Sequence, residues 1–269
     1  MRLVTFGGAF LLGAAILGEP AAGQWLTHPT SGIPRTPDGR PNLLAPAPRS
    51  ADGKADLSGL WLPDAGPRAT KGIGETLRSP YFLDITADVK PEEVPFMPWA
   101  EAEYRRRTAR HSQDDPTARC QPTGVPSLDT YPMPFKIVQT PALLVVLYEN
   151  NTDFRQIFTD GRAQPKDPVP TWMGYAVGRW EGDTLVVTST GFNDRSWLDR
   201  TGHPHSEAMR VTERFRRLAF GRMEIQITID DPITYQRPLV FTQAQQLLPD
   251  TELLEHFCTD NEKSAQHFK

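Results

Sequence analysis

Cysteine is almost missing from this chain of 269 residues: Cys120 and Cys258 are the only two. Zinc modules built on repeated Cys and His spacings are therefore excluded. No Gly-rich phosphate loop, dinucleotide fingerprint, GxSxG elbow, SxxK or HExxH occurs either, and "GGAF" and "GIGET" are too short and wrongly placed to serve. Nucleotide chemistry is not expected, and no cofactor is implied. A surplus of either charge is lacking too: 29 Lys and Arg face 33 Asp and Glu, a net charge of −4. Nothing electrostatic draws this chain to nucleic acid or to an anionic membrane.

Long apolar runs are absent except at the start, where "LVTFGGAFLLGAAILG" carries 16 residues without a charge. A bilayer span needs about 20. Arg2 before the run, and the small Ala21 and Gly23 after it, complete the pattern of a secretory signal over residues 1–23; an uncleaved N-terminal anchor is the alternative. Cleavage would remove Arg2 and Glu19 and leave the net charge at −4. The expected location is periplasmic or secreted, with no membrane span after cleavage. In that compartment two cysteines read as one structural bridge, Cys120 to Cys258, tying the front of the chain to its end. No His or Arg patterning around either suggests a nucleophile.

Proline divides the chain. Nineteen of the 26 lie at or before Pro141, and a segment so rich in it makes neither central strands nor long helices. Residues 24–56 read as an extended arm. Within it "PRTPDGRPNL" and "PRSADGKADL" repeat at an offset of 14, each with a D-G that predicts a turn. "LSGLW" opens a single β-rich domain over residues 57–269, anchored by Trp61. One helix is expected over residues 98–111, with Pro98 in its first turn, Glu101 and Glu103 early, and Arg105 to Arg107 and Arg110 late.

The second half reads as strands: "KIVQT", "LLVVLYEN", "FRQIFTD", "TWMGYAVGRW", "TLVVTSTGF", "MRVTERFRR", "MEIQITI", "LVFTQAQQLL" and "ELLEHFC". "WEGDTL" and "AFGRM" are hairpin turns. Nine strands with short links predict an antiparallel meander closed into a lipocalin-like barrel, since open edges invite aggregation. A β-sandwich is the alternative.

Chemistry gathers between Trp197 and Arg217. In "MRVTERFRR" an alternation of two puts Met209, Val211, Glu213 and Phe215 on one face and Arg210, Thr212, Arg214 and Arg216 on the other. A carboxylate on a dry face is disfavoured in its charged form. It is either a proton carrier facing a pocket, with His205 as its partner and Asp199 orienting that His, or half of a buried pair with Arg155 or Arg237. Glu149 and Arg155 could also pair across their hairpin. His203 and His205 lie two apart, a weak metal geometry without a third ligand at recognisable spacing, so no metal is expected. Trp172, Tyr175, Trp180, Phe192 and Trp197 fall around one hairpin and either line a ligand pocket or plug the barrel end.

The stretch "GRWEGDTLVVTSTGFNDRSWLDRTGHPHSEAMRVTERFRR" resembles a family of exported bacterial proteins. The resemblance extends to Arg155–Arg162 as R-x-I-x-x-D-G-R, to Cys120–Gly124 as C-x-P-x-G and to Asp231–Tyr235 as D-P-x-x-Y. It implies a common fold and export, and it brings no activity. The leading expectation is a barrel that binds a small, partly apolar or aromatic molecule, with Trp197, Trp180, Tyr175 and Phe192 in contact and Arg155 or Arg214 as polar anchor. A periplasmic acid–base enzyme (lyase, isomerase or hydrolase) using Glu213 and His205 is the second reading. An envelope interaction protein docking through the Pro-rich arm is the third.

Overall fold

A computed structural model describes residues 29–64, 69–71, 78–87 and 89–260. The predicted signal segment and the first residues of the arm lie outside that range. No helix among the described residues is long and apolar enough to cross a membrane.

In chain order the strands are β1 (Gly59–Pro63), β2 (Ala69–Lys71), β3 (Arg78–Leu83), β4 (Phe135–Gln139), β5 (Leu143–Tyr148), β6 (Phe154–Phe158), β7 (Tyr175–Glu181), β8 (Thr184–Thr190), β9 (Arg210–Ala219), β10 (Arg222–Asp230) and β11 (Leu239–Leu247). Nine of them form a closed barrel in the order β1-β11-β10-β9-β8-β7-β6-β5-β4, and β2 with β3 makes a separate two-stranded ribbon. The barrel expected from the spacing of the strands is therefore present. Two of its details differ. The last predicted strand, "ELLEHFC", is not one; the ninth strand is the short β1, which pairs with β11 and β4 and shuts the cylinder. The pairing is also not antiparallel throughout: β6 and β7 run parallel, with Ile157 opposite Ala176. The link between them holds Pro165, Pro168 and Pro170 and does not turn back as a hairpin.

Alternation decides what faces inward. Val211, Glu213, Phe215 and Arg217 of β9 are buried, as are Met223, Ile225, Ile227 and Ile229 of β10 and Leu239, Phe241, Gln243, Gln245 and Leu247 of β11. Cross-strand register places Glu213 beside Ile227 and Phe215 beside Ile225, so these residues share the interior. Residues 123–130 are buried throughout and reach that interior from outside the sheet: Gln245 Nε2 donates to the main-chain oxygen of Asp129 at 2.8 Å. This segment is a plug.

The helix α1 (Pro98–Ala109) covers one end. Its exposed side carries Glu101–Arg105 and Glu103–Arg106 pairs at 2.6 and 2.8 Å, worth about 0.3–0.5 kcal/mol each. Its inner side sets Tyr104 against His203, ring centres 4.5 Å apart, and Arg107 over Trp197 at 4.7 Å. The arm runs across the opposite end. Both repeat copies make one turn geometry: Thr36 N donates to Arg40 O at 2.8 Å and Ser50 N to Lys54 O at 3.0 Å, with Gly39 and Gly53 at φ of 81° and 77°. Between those turns the arm bonds the β9–β10 hairpin, Gly221 N to Leu43 O at 2.8 Å. A Cβ on Gly221 would stand 2.5 Å from that of Leu43, so the close approach requires glycine.

Candidate functional site

Ionisable residues gather at the barrel centre, at the helix-covered end and at the arm end, three distinct places. At the barrel centre, the Arg155 guanidinium grips Glu213 with both arms: Nη1 donates to Oε1 at 2.8 Å and Nη2 to Oε2, while Nη2 also reaches Ser189 Oγ at 2.8 Å. Strand phase thus placed Glu213 inside, and of its two candidate partners Arg155 is the one that meets it. Glu149 does not pair with Arg155 across the hairpin; it accepts a hydrogen bond from Leu254 N at 3.3 Å. The plug contributes a second acid: Asp129 Oδ2 lies 3.7 Å from Arg155 Nη1, and Oδ1 accepts from the Tyr148 hydroxyl at 3.0 Å.

One cation cannot neutralise two buried carboxylates. Burial, and then the charge of Glu213 beside it, raise the Asp129 pKa well above the carboxylate range, so this acid stays protonated. Oδ2, which has no hydrogen-bond partner among the described residues, is the position for that proton. The unfolded chain titrates Asp at about 3.9, so above that pH folding takes up a proton and stability falls by up to about 1.4 kcal/mol per pH unit until the folded pKa is passed. Asp129→Asn places a neutral NH2 at the same point. Urea unfolding of the two proteins from pH 4 to 8 is expected to show the Asn protein gaining on the original as pH rises; parallel curves would mean Asp129 is ionised in the fold.

At the helix-covered end, His203 and His205 turn to different partners. His203 Nδ1 lies 2.7 Å from Asp199 Oδ2, and both groups are buried. Although burial opposes both charges, the attraction between the two raises the pKa of His203 and lowers that of Asp199, which makes them an ion pair. Asp199 Oδ1 accepts from the main-chain N–H of Thr201 and Gly202 at 3.0 and 3.1 Å, so it also fixes the turn. Asp199 therefore orients His203, not His205. His205 Nε2 is 2.9 Å from Ser196 Oγ and Nδ1 is 3.3 Å from Ser206 O; burial holds its pKa below the ordinary value, so its ring is neutral. Asp84, Asp199 and His203 do bring donor atoms within 4.8 Å of one another. Those of Asp199 and His203 are already spent on each other, on Ile85 N at 2.9 Å and on Thr86 Oγ1 at 3.3 Å, so the cluster is a hydrogen-bonded cap. Among the described residues Glu213 and His205 have no hydrogen-bond partner in common.

The aromatic candidates divide as well. Phe192 and Trp197 are buried core, and Trp180 packs partly buried against that core. Tyr175 stacks on Phe158 at 5.3 Å and accepts from Arg162 Nη1 at 3.1 Å. Arg214 points outward and pairs with Glu181 at 3.0 Å.

The third place is the arm end. A cavity of about 320 Å³ opens there, walled by Leu60, Phe220, Leu247 and Leu248 with Lys136 and Arg217, and roofed by Thr30–Ile33 of the arm. Asp250 ties down that roof: Oδ1 accepts from Thr30 N at 2.9 Å and Oδ2 from Arg35 Nη1 at 2.7 Å. Arg217 was absent from the sequence candidates, yet it continues the period of Val211, Glu213 and Phe215 by one more step. A second, more open cavity of about 500 Å³ lies beside Tyr131, Met133 and Arg200. There Arg200 is engaged by Asp115 at 2.7 Å, by Tyr131 at 2.6 Å and by Thr117. No family model, curated protein or solved structure matches this chain.

Proposed function

We propose that this is an exported β-barrel protein that binds a small, partly apolar organic molecule in the cavity at the arm end. The observation that carries the reading is a space of about 320 Å³ with leucine and phenylalanine walls and a buried guanidinium. That is the low end of the size range of small-molecule sites and has their composition, apolar with few polar groups. Export is supported by the Cys120–Cys258 disulfide, since such bonds persist in oxidising compartments, and by the signal pattern of residues 1–23.

The central Glu213 does not face this ligand, because Arg155 and the plug enclose it. The test is titration with the neutral dye N-phenyl-1-naphthylamine, whose fluorescence rises in apolar surroundings. Saturable binding near one dye per protein is expected, and Thr251→Trp, which fills the cavity from its wall, is expected to weaken it about tenfold or more. No binding, or equal binding to the filled variant, would remove the reading.

A further inference from the structure

Resting on that reading of the cavity, we infer that its ligand is an amphiphilic monoanion of the fatty-acid type, with the carboxylate on Arg217 and Thr251 and the chain along Leu60, Leu247, Leu248 and Phe220. Arg217 is 6% exposed, and among the described residues no carboxylate forms an ion pair or hydrogen bond with it. Its Nε donates to Phe220 O at 3.0 Å, Nη1 to Asp56 O and Ser58 O at 2.5 and 3.1 Å, and Nη2 to Phe220 O. Those bonds use four of the five N–H groups of a guanidinium. The fifth, on Nη2, has no partner among the described residues. Carbonyl oxygens are dipoles and leave the positive charge unneutralised. Trp61 and Phe220 pack against it, with ring centres 4.9 and 5.0 Å from the guanidinium carbon.

The other charges on the lining do not take this place. Lys136 and Glu252 pair with each other at 3.1 Å on the exposed rim. The Asp56 carboxylate is occupied by Ser58 N at 2.9 Å and acts on Arg217 only through space. Burial draws the Arg217 pKa down to about 10, which still leaves it charged at neutral pH. Thr251 lines the same cavity, and its buried hydroxyl has no partner among the described residues. One N–H of a cation and one O–H are what the two oxygens of a single carboxylate accept. A neutral ligand would leave the charge as it is, and a cation would be repelled by it.

Displacement of the dye by decanoate, decan-1-ol and decyltrimethylammonium tests this. Decanoate is expected to displace at a concentration at least about tenfold below that of the alcohol, and the ammonium to be weakest. Arg217→Gln is expected to abolish the preference of decanoate over the alcohol, and Arg217→Lys to retain most of it. Equal displacement by decanoate and decan-1-ol would overturn the anion while leaving a cavity that binds apolar molecules. Dye that binds but yields to neither overturns the chain-and-head assignment, and dye that does not bind removes the underlying reading instead. Should Arg217→Gln not fold, methyl decanoate against decanoate on the unaltered protein draws the same distinction: a preference for the acid supports the anion, and equal displacement overturns it.

Discussion

Arg155→Met is expected to cost about 3–5 kcal/mol of folding free energy at pH 7, the range for stripping one partner from a buried charge pair. The substitution leaves Glu213 and Asp129 in a dry interior without a cation, so folding must protonate both. The loss therefore shrinks as pH falls towards about 4, where the unfolded chain also holds those protons. Glu213→Gln behaves differently. Asp129 already stands 3.7 Å from the guanidinium, and it is the charge of Glu213, after burial, that keeps it protonated. With that charge gone, Asp129 ionises and replaces it as counter-ion, and the expected loss is about 1–2 kcal/mol, the scale of altered hydrogen bonds. Urea unfolding of both variants at pH 7 and pH 5 decides. Equal losses would show that the plug acid has no part in balancing Arg155.

Replacing Cys120 and Cys258 together by Ser has the other large effect. The bond spans 138 residues, with Cα atoms 5.4 Å apart. Loop-closure entropy for that span amounts to about 5 kcal/mol, an upper figure because unfolded chains keep some compactness. The bridge joins a turn just ahead of the plug to the segment that follows β11, so its loss loosens the plug and the tail together. Guanidinium unfolding with and without dithiothreitol is expected to show the midpoint of the native protein falling to that of the double-Ser variant, with a steeper slope for the uncrosslinked chains. A shift below about 1 kcal/mol would mean that the tail frays before the barrel unfolds.

Much of the barrel was legible in its residues, and the misses have physical causes. β10 announces itself through four isoleucine and methionine positions at period two, and the β7–β8 and β9–β10 hairpins through their glycines. β1 does not: five residues ending in Pro63, behind a Pro-rich arm, have little intrinsic claim to be a strand, and pairing with β11 and β4 makes them one. "ELLEHFC" has strand-like content but no free edge to join once the barrel is shut. The parallel β6–β7 contact is invisible locally, because a link of either hand reads as loop. At the site, period two correctly turned Glu213 inward, and the same period carried one step further reaches Arg217. Asp129 had no such signal. "TGVPSLDT" lacks any periodicity, and only the folded chain shows that it is buried.

The seam between β1 and β11 has a consequence for the order of events during folding. Its two strands are separated by nearly the whole domain, Trp61 pairing with Leu247, so the cylinder cannot shut until its last strand exists. Residues 59–63 can pair with β4 as soon as it is made, but their other edge must wait, unpaired, while β5 to β10 zip up between neighbours. Distant pairing of this kind is slow, and the waiting edge is the part of the nascent molecule most open to chaperones and to rival strands.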